Sequence, residues 1–389
     1  MARILIGWEL GASRGHAARI VALAHALRGE GHEVSLALQR LDALTPGAAR
    51  DLPVWQAPVA PRLMVGVGRP AKGPPAGMAD LLARAGMDDP GIVAAMIRGW
   101  RQLIDAIRPA LVIAEFAPFL LLAARGRLPA LAVGNGFTLP PAAMDSFPAL
   151  IETAPGVDQS DLLQQINAGL ADAEAAAITT LPQVFGAERS VPATFAELDP
   201  YPAERRETRA LPQSIDFDAA AGDGAEIFVY APERIEPDAP LWRGLGMAGL
   251  PVRVHVPRGG DALRDALTNL GIHFEPAPLP FTEIAQRSRL LVSHGAHDFV
   301  CAGLAAGLPQ VVCHYDLEKL LCGLALARTG LGGHAPLGAI DPEAFSASLG
   351  QLYRDDGLAD RAKAAAPGFR TRGQLPVSRS VIEAVATLS

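Results

Sequence analysis

Short apolar runs alternate with helically periodic stretches along this chain, and glycine, proline or polar clusters separate them. Arg3 to Ile6 has strand length, and a glycine-punctuated loop, Gly7 to Gly15, follows it. Ile20, Leu23, Ala24 and Leu27 then recur at i, i+3, i+4 and i+7, the single apolar face of a helix that Gly29 and Gly31 end. Val34 to Leu38 is the next strand. Pro90 to Ile107 reads as a helix capped by Asp89 and stopped by Pro109. Ala110 to Ala114 is a buried strand with Glu115 at its carboxyl end, and Leu131 to Val133 is another. The pattern predicts an amphipathic helix over Asp158 to Ala177, a short strand over Ala177 to Thr180, and a last element of this half over Phe195 to Tyr201.

The alternation restarts beyond residue 225. Glu226 to Tyr230, Pro251 to Val256, His273-Phe274, Arg289 to Ser293 and Gln310 to Cys313 read as strands. Asp238 to Met247, Asp261 to Leu270, Thr282 to Arg287 with Thr282 as cap, Phe299 to Ala306, Pro342 to Tyr353, Leu358 to Ala365 and Ser378 to Leu388 read as helices. Gly307-Leu308-Pro309 stops the helix before it. Two alternating halves predict an α/β chain of two Rossmann-like domains, residues 1–210 and 211–375, with 376–389 as a helix returning to the first. The Ala-, Gly- and Asp-rich stretch within 205–225 is the hinge between them. A Pro- and Gly-rich insertion from Asp51 to Asp89, holding Leu63-Met64-Val65, is too long for a tight connection and is expected to shape a pocket.

Composition narrows the function classes. The 389 residues are 50% hydrophobic and 19% charged, enough for two cores and far from disorder. A net charge of -7 opposes a nucleic-acid surface, and Arg205-Arg206 and Arg370 to Arg372 are too short to reverse it. Cys301, Cys313 and Cys322 lie on apolar elements and read as reduced core thiols. Ile4 to Ile6 is too short for a signal core, and Leu111 to Ala124 is interrupted by Glu115 and Pro118. A cytoplasmic protein without a transmembrane segment is expected.

The chemistry concentrates in loops at predicted strand ends, where doubly wound sheets place their sites. Gly7, Gly11 and Gly15 form G-x-x-x-G-x-x-x-G, which is not the dinucleotide fingerprint, and no Walker motif is present. His16 enters the first helical turn, where the helix dipole favours a neutral, proton-accepting ring. Glu115, ending a neighbouring strand, is placed to orient it as a general base; solvated His and Glu side chains are the plain alternative. His25 and His32 read as structural. Gly134 to Pro141, with Asn135 and Phe137, leaves the same edge as a sugar or acceptor loop. In the second half His294 and Gly295 open a helix whose amino end favours a phosphate. Asp216-Phe217-Asp218 is nominally a metal-binding D-x-D but lies outside a strand-end context, and no metal site is expected.

His294-Gly295, the helix ending at Gly307 with Pro309 behind it, the strand Gln310 to Cys313 and the helix up to Gly330-Leu331-Gly332 resemble the donor signature of UDP-glycosyltransferases. Gly15-His16 with Arg19 and Gly31-His32-Glu33-Val34 resembles the amino-terminal Gly-His loop of the same family. The resemblance implies the GT-B fold, two facing Rossmann-like domains with a cleft between them. It also implies an inverting, metal-independent transfer from a nucleoside diphosphate sugar of UDP or dTDP type to an apolar or moderately polar hydroxyl-bearing acceptor, with no cofactor. On that reading His16 and Glu115 are catalytic. His294, Gly295, Ala296, His297, Asp298, Phe299, Leu279, Phe281, Glu318 and Lys319 bind the donor, and Arg14, Gly15, Asn135 and Phe137 serve the acceptor or sugar. Phe281 reads equally as a core residue. The family's Gly-Gly-x-Gly-Thr is replaced by Gly295 to Phe299, its ribose-binding Glu by Ala302, and its Asp-Gln pair by Glu318-Lys319. Two alternatives therefore stand beside transfer: a glycosyltransferase-like binding partner or activator without a donor site, and a nucleotide-sugar hydrolase or epimerase.

Overall fold

The computed structural model describes residues 1–389 except Ala12, 65–72, Gln213, Ser214, Asp216, 371–374 and Ser389. Val65 of the apolar patch, Asp216 of the acidic triplet and Arg372 of the basic cluster thus lie outside the described residues. The chain forms two compact units, Met1–Gln213 with Leu375–Ser389, and Ser214–Gln374.

In the first unit β1 (Arg3–Trp8), α1 (Arg14–Gly29), β2 (Glu33–Leu38) and β3 (Val54–Gln56) are followed by α2 (Met78–Arg84), α3 (Pro90–Ile107) and β4 (Leu111–Glu115). After these come α4 (Pro118–Ala124), β5 (Ala130–Gly134), α5 (Gln159–Asp172) and β6 (Arg189–Pro192). The six strands pair in parallel in the order β3-β2-β1-β4-β5-β6. Every residue of β4 and β5 is buried, as a parallel sheet covered on both faces demands. Asp89 caps α3 by accepting from the amides of Gly91 and Ile92 at 2.9 and 3.2 Å.

The second unit holds β7 (Glu226–Tyr230), α6 (Pro240–Met247), β8 (Val252–His255), α7 (Asp261–Asn269), β9 (His273–Glu275) and α8 (Phe281–Arg287). It continues through β10 (Ser288–Ser293), α9 (His297–Ala306), β11 (Gln310–His314), α10 (Leu317–Thr329), β12 (Gly332–Pro336), α11 (Pro342–Arg354) and α12 (Asp356–Arg370). Its sheet order, β12-β11-β10-β7-β8-β9, has the same winding as the first. Strand order reverses between β1 and β4 in one unit and between β7 and β10 in the other, which marks two switch points. The last helix, α13 (Val377–Leu388), buries Val377, Val381 and Val385 in the first unit's core with Ile20, Leu23 and Leu27 of α1.

Four details depart from the pattern reading. Ala177 to Thr180 is not a strand: the side chain of Asn167 takes both the amide and the carbonyl of Ile178, each at 2.9 Å, and holds that peptide to α5. The ladder position goes instead to β6, whose Arg-Ser-Val-Pro sequence carries little apolar signal. Thr282 is not a cap, since α8 starts at Phe281 behind Pro280. The helix expected from Phe299 begins at His297, so His297, Asp298 and Phe299 form its first turn.

Candidate active site

At the first switch point Trp8 and Glu115 are register partners on β1 and β4. His16 projects from the first turn of α1, and its Nδ1 lies 2.8 and 2.9 Å from the two carboxylate oxygens of Glu115. A carboxylate only accepts, so Nδ1 carries the proton and donates it, which in a neutral ring makes Nε2 the proton-accepting atom. Glu115 is 0% exposed and His16 6%. Trp8 stacks on one side of the imidazole at 5.4 Å between centroids, and Phe116 on the other at 6.3 Å. Arg19 Nη1 donates to Glu115 Oε1 at 3.1 Å, which makes a triad. Sequence reasoning gave Arg19 no role; its only signal is a position three residues after His16, on the same helix face.

The backbone of Gly11 covers Nε2. Gly11 has φ +82°, and a Cβ there would stand 2.4 Å from Nε2, so both the left-handed conformation and the close approach require glycine. Four hydrogen bonds hold this segment. Leu10 N donates to Phe116 O at 3.1 Å and Trp8 Nε1 to Leu10 O at 2.5 Å. The carboxyl of Glu9 accepts from the amides of Phe119 and Leu120 at 2.9 and 2.5 Å. Burial pushes the Glu9 carboxyl up to about 8, outweighing those two amides.

The other residues assigned to this side are placed differently. Gly15 is exposed. Arg14 Nη2 donates to Leu44 O at 3.1 Å, so its head is tied to the segment after β2. Asn135 Oδ1 accepts from the amides of Phe137 and Thr138 at 2.9 and 2.8 Å, and Phe137 is buried. Both shape the loop after β5 from within. Arg205 supports that loop by donating to Gly136 O at 3.1 Å and to Asp199 Oδ2 at 3.0 Å, with both side chains out of contact with water. His25 Nε2 donates to Ala48 O at 2.9 Å and His32 Nδ1 accepts from Ala2 N at 3.2 Å.

At the second switch point Tyr230 and Ser293 are register partners on β7 and β10, and His294 follows directly. His294 Nδ1 donates to Tyr230 O at 3.2 Å. Burial pushes this imidazole down to about 4, and the Lys319 ammonium adds to the shift, so the ring is neutral at pH 7. Gly295 has φ +87°, and a Cβ there would meet Val312 Cγ1 at 2.7 Å and Lys319 Cβ at 3.1 Å. Ala296 stands at the N-cap of α9.

His297 is buried beside Cys301, 3.7 Å from its Sγ, and Asp298 Oδ1 lies 3.5 Å from His297 Nδ1. The carboxylate of Asp298 stands in the helical turn whose dipole would attract a phosphate. Phe299 packs on Tyr230 at 5.2 Å and on Phe281 at 5.5 Å, and Phe281 continues to Phe217 at 4.9 Å. Leu279 is half-buried just before α8. Lys319 is buried: its Nζ lies 2.5 Å from Glu318 Oε2 and 3.6 Å from Asp316 Oδ2. Burial alone disfavours its charge, and the two carboxylates outweigh that, holding the ammonium well above the usual lysine range. Ala302 is 2% exposed, so its face of α9 is turned into the unit. His294, Gly295 and Lys319 come together, and the Tyr230 ring, 5.0 Å from His294 and 5.2 Å from Phe299, joins them to the aromatic cluster of Phe299 and Phe281.

Among the described residues no group of three or more His, Cys, Asp and Glu side chains could hold a metal ion, and no helix is long and apolar enough to cross a membrane.

No protein-family model and no curated protein matches the sequence. Solved structures match its whole length. The glycotransferase of kitacinnamycin superposes with a TM-score of 0.69 at 16% identity, covering 100% of this chain and 99% of that one. SsfS6, the glycosyltransferase of Streptomyces sp. SF2575 complexed with thymidine diphosphate, gives 0.64 at 19% identity and 100% of both chains. The spinosyn rhamnosyltransferase SpnG, also complexed with thymidine diphosphate, gives 0.66 at 18% identity, covering 99% of this chain and 100% of that one. The structural neighbours are bacterial natural-product glycosyltransferases, and the chain has their GT-B fold of two Rossmann-like domains.

Proposed function

We propose that this chain transfers a sugar from a nucleoside diphosphate sugar to a hydroxyl of an acceptor, with inversion at the anomeric carbon. The observation that carries the reading is the buried His16–Glu115 pair at a sheet switch point, with Nδ1–H turned to the carboxylate and Nε2 left to accept a proton. His16 Nε2 would take the proton of the acceptor hydroxyl as its oxygen forms the new bond to the anomeric carbon. The bond from that carbon to the diphosphate breaks on the opposite face, which inverts the centre. Glu115 would stabilise the imidazolium that results, a contribution of the general-base type. A Cβ on Gly11 would stand 2.4 Å from Nε2, so a side chain at this position would take the space the hydroxyl needs.

On the second unit the diphosphate is assigned to His294 and the amino end of α9, in keeping with a helix terminus as an anion site. That SsfS6 and SpnG are complexed with thymidine diphosphate supports a nucleotide-sugar substrate for this fold. A nucleotide-sugar substrate and three buried free thiols fit a cytoplasmic protein. The test is release of nucleoside diphosphate from TDP- and UDP-sugars with a panel of hydroxyl-bearing acceptors. His16→Ala should cut turnover roughly 100- to 10,000-fold with nucleotide affinity retained, and full turnover in that variant would remove the mechanism.

One observation favours a second reading, a glycosyltransferase-like binding partner. Asp316 and Glu318 flank Lys319, the carboxylate of Asp298 lies beside His297 in the first turn of α9, and Phe299 occupies the same turn. Like charge opposes a diphosphate there. Binding measurements on the unmodified protein decide between the two.

A further inference from the structure

A fully buried carboxylate such as Glu115 needs a compensating charge. Two side chains reach it from one face of α1: His16 Nδ1 at 2.8 Å and Arg19 Nη1 at 3.1 Å, each only 7% exposed. If His16 were the counter-charge, its ring would hold a proton on both nitrogens, and Nε2 would have no lone pair to accept another. Arginine is always charged and presents its donors in a fixed fork, so it supplies the charge without taking part in proton transfer. The remaining groups at the ring do not alter this balance. Glu9, following β1, turns its carboxyl to the α4 amides of Phe119 and Leu120, and the flanking Trp8 and Phe116 rings are uncharged.

We infer that Arg19 is the permanent counter-ion of Glu115 and in that role keeps His16 a neutral base. Arg19 is a positioning residue, acting on the ring through the carboxylate. The inference rests on His16 being the base, and its first readout is independent of turnover.

That readout is the pair of ring nitrogen resonances of His16 in 15N-labelled full-length protein at pH 7, which separate widely in a neutral ring and converge in an imidazolium. The unmodified protein should show a neutral ring protonated at Nδ1. Arg19→Met and Arg19→Gln should show the imidazolium, since glutamine keeps a hydrogen bond without charge, and Arg19→Lys should restore the neutral ring. If Arg19→Met fails to fold, the contrast between Gln and Lys carries the test. A ring that stays neutral in Arg19→Gln overturns the inference. Turnover of Arg19→Gln should fall about 100-fold, the lower end of the range for a general base, with KM for the acceptor unchanged and activity recovering at alkaline pH. Convergent resonances in Arg19→Gln combined with no turnover in any form would leave the counter-ion standing and remove the transferase reading.

Discussion

His16 Nδ1 stands 2.8 Å from Glu115 Oε2 although 99 positions separate the two residues in the chain. Only the parallel pairing of β1 with β4 brings the start of α1 to the end of that distant strand. Groups that act as one unit do not lose activity additively. His16→Ala and the double variant His16→Ala/Glu115→Gln should therefore turn over at nearly the same rate, with Glu115→Gln alone less impaired. Initial rates on one donor and acceptor pair check this; multiplicative losses would show that the carboxylate serves another purpose.

Gly11→Ala should disable the same centre from above. The added methyl group meets Nε2 at 2.4 Å, and φ +82° strains an L side chain by about 1–2 kcal/mol. The expected result is a folded protein with a modestly lowered denaturation midpoint, unchanged nucleotide affinity and a large fall in turnover. Unchanged turnover would mean that this segment already lies away from the ring in solution.

Glu9 should make the first unit's stability depend on pH. Its folded value, about 8, is raised from 4.5, so the folded state keeps a proton that the unfolded chain releases. The stabilisation is complete below about 4.5 and is lost as pH rises towards about 8. Urea denaturation of Glu9→Gln across this window should show a flatter pH profile than that of the unmodified protein. Parallel profiles would contradict the burial of a protonated carboxyl.

Nucleotide binding should take up a proton. Nδ1–H of His294 is already given to Tyr230 O, and the ring is pushed down to about 4, so Nε2 can donate to a phosphate only after gaining a proton. Affinity should rise as pH falls from 8 to 6. Calorimetry in buffers of different ionisation enthalpy should report uptake approaching one proton, absent in His294→Ala, which should also bind more weakly by about 1–3 kcal/mol. Binding with no proton uptake would place the phosphate elsewhere.

The alternation that reveals both sheets is strong wherever a strand is central, as in β1, β4, β7 and β10, because burial on both faces demands continuous apolar runs. Edge strands escape this demand. β6 and β12 read Arg-Ser-Val-Pro and Gly-Gly-His-Ala-Pro, and β3 hides within a Pro-rich insertion. Glu115 is legible as a site residue because a carboxylate ending a buried strand is costly without a partner. Arg19 is not, since an arginine on a helix flank ordinarily faces water. The cover of Gly11 over His16 depends on loop conformation, which no hydrophobic period encodes. On the second unit the positions of His294 and Gly295 follow from strand and helix boundaries. The neutral state of His294 follows from burial, which only packing determines.

The central claim, that a nucleotide sugar is the substrate, is tested most directly by calorimetric titration of the unmodified protein with thymidine and uridine diphosphates. The account predicts saturable binding of at least one, weakened by His294→Ala and indifferent to His16→Ala. Absence of binding by either at millimolar concentration, in protein shown to be folded, would contradict it and leave the chain a binding partner built on a transferase fold.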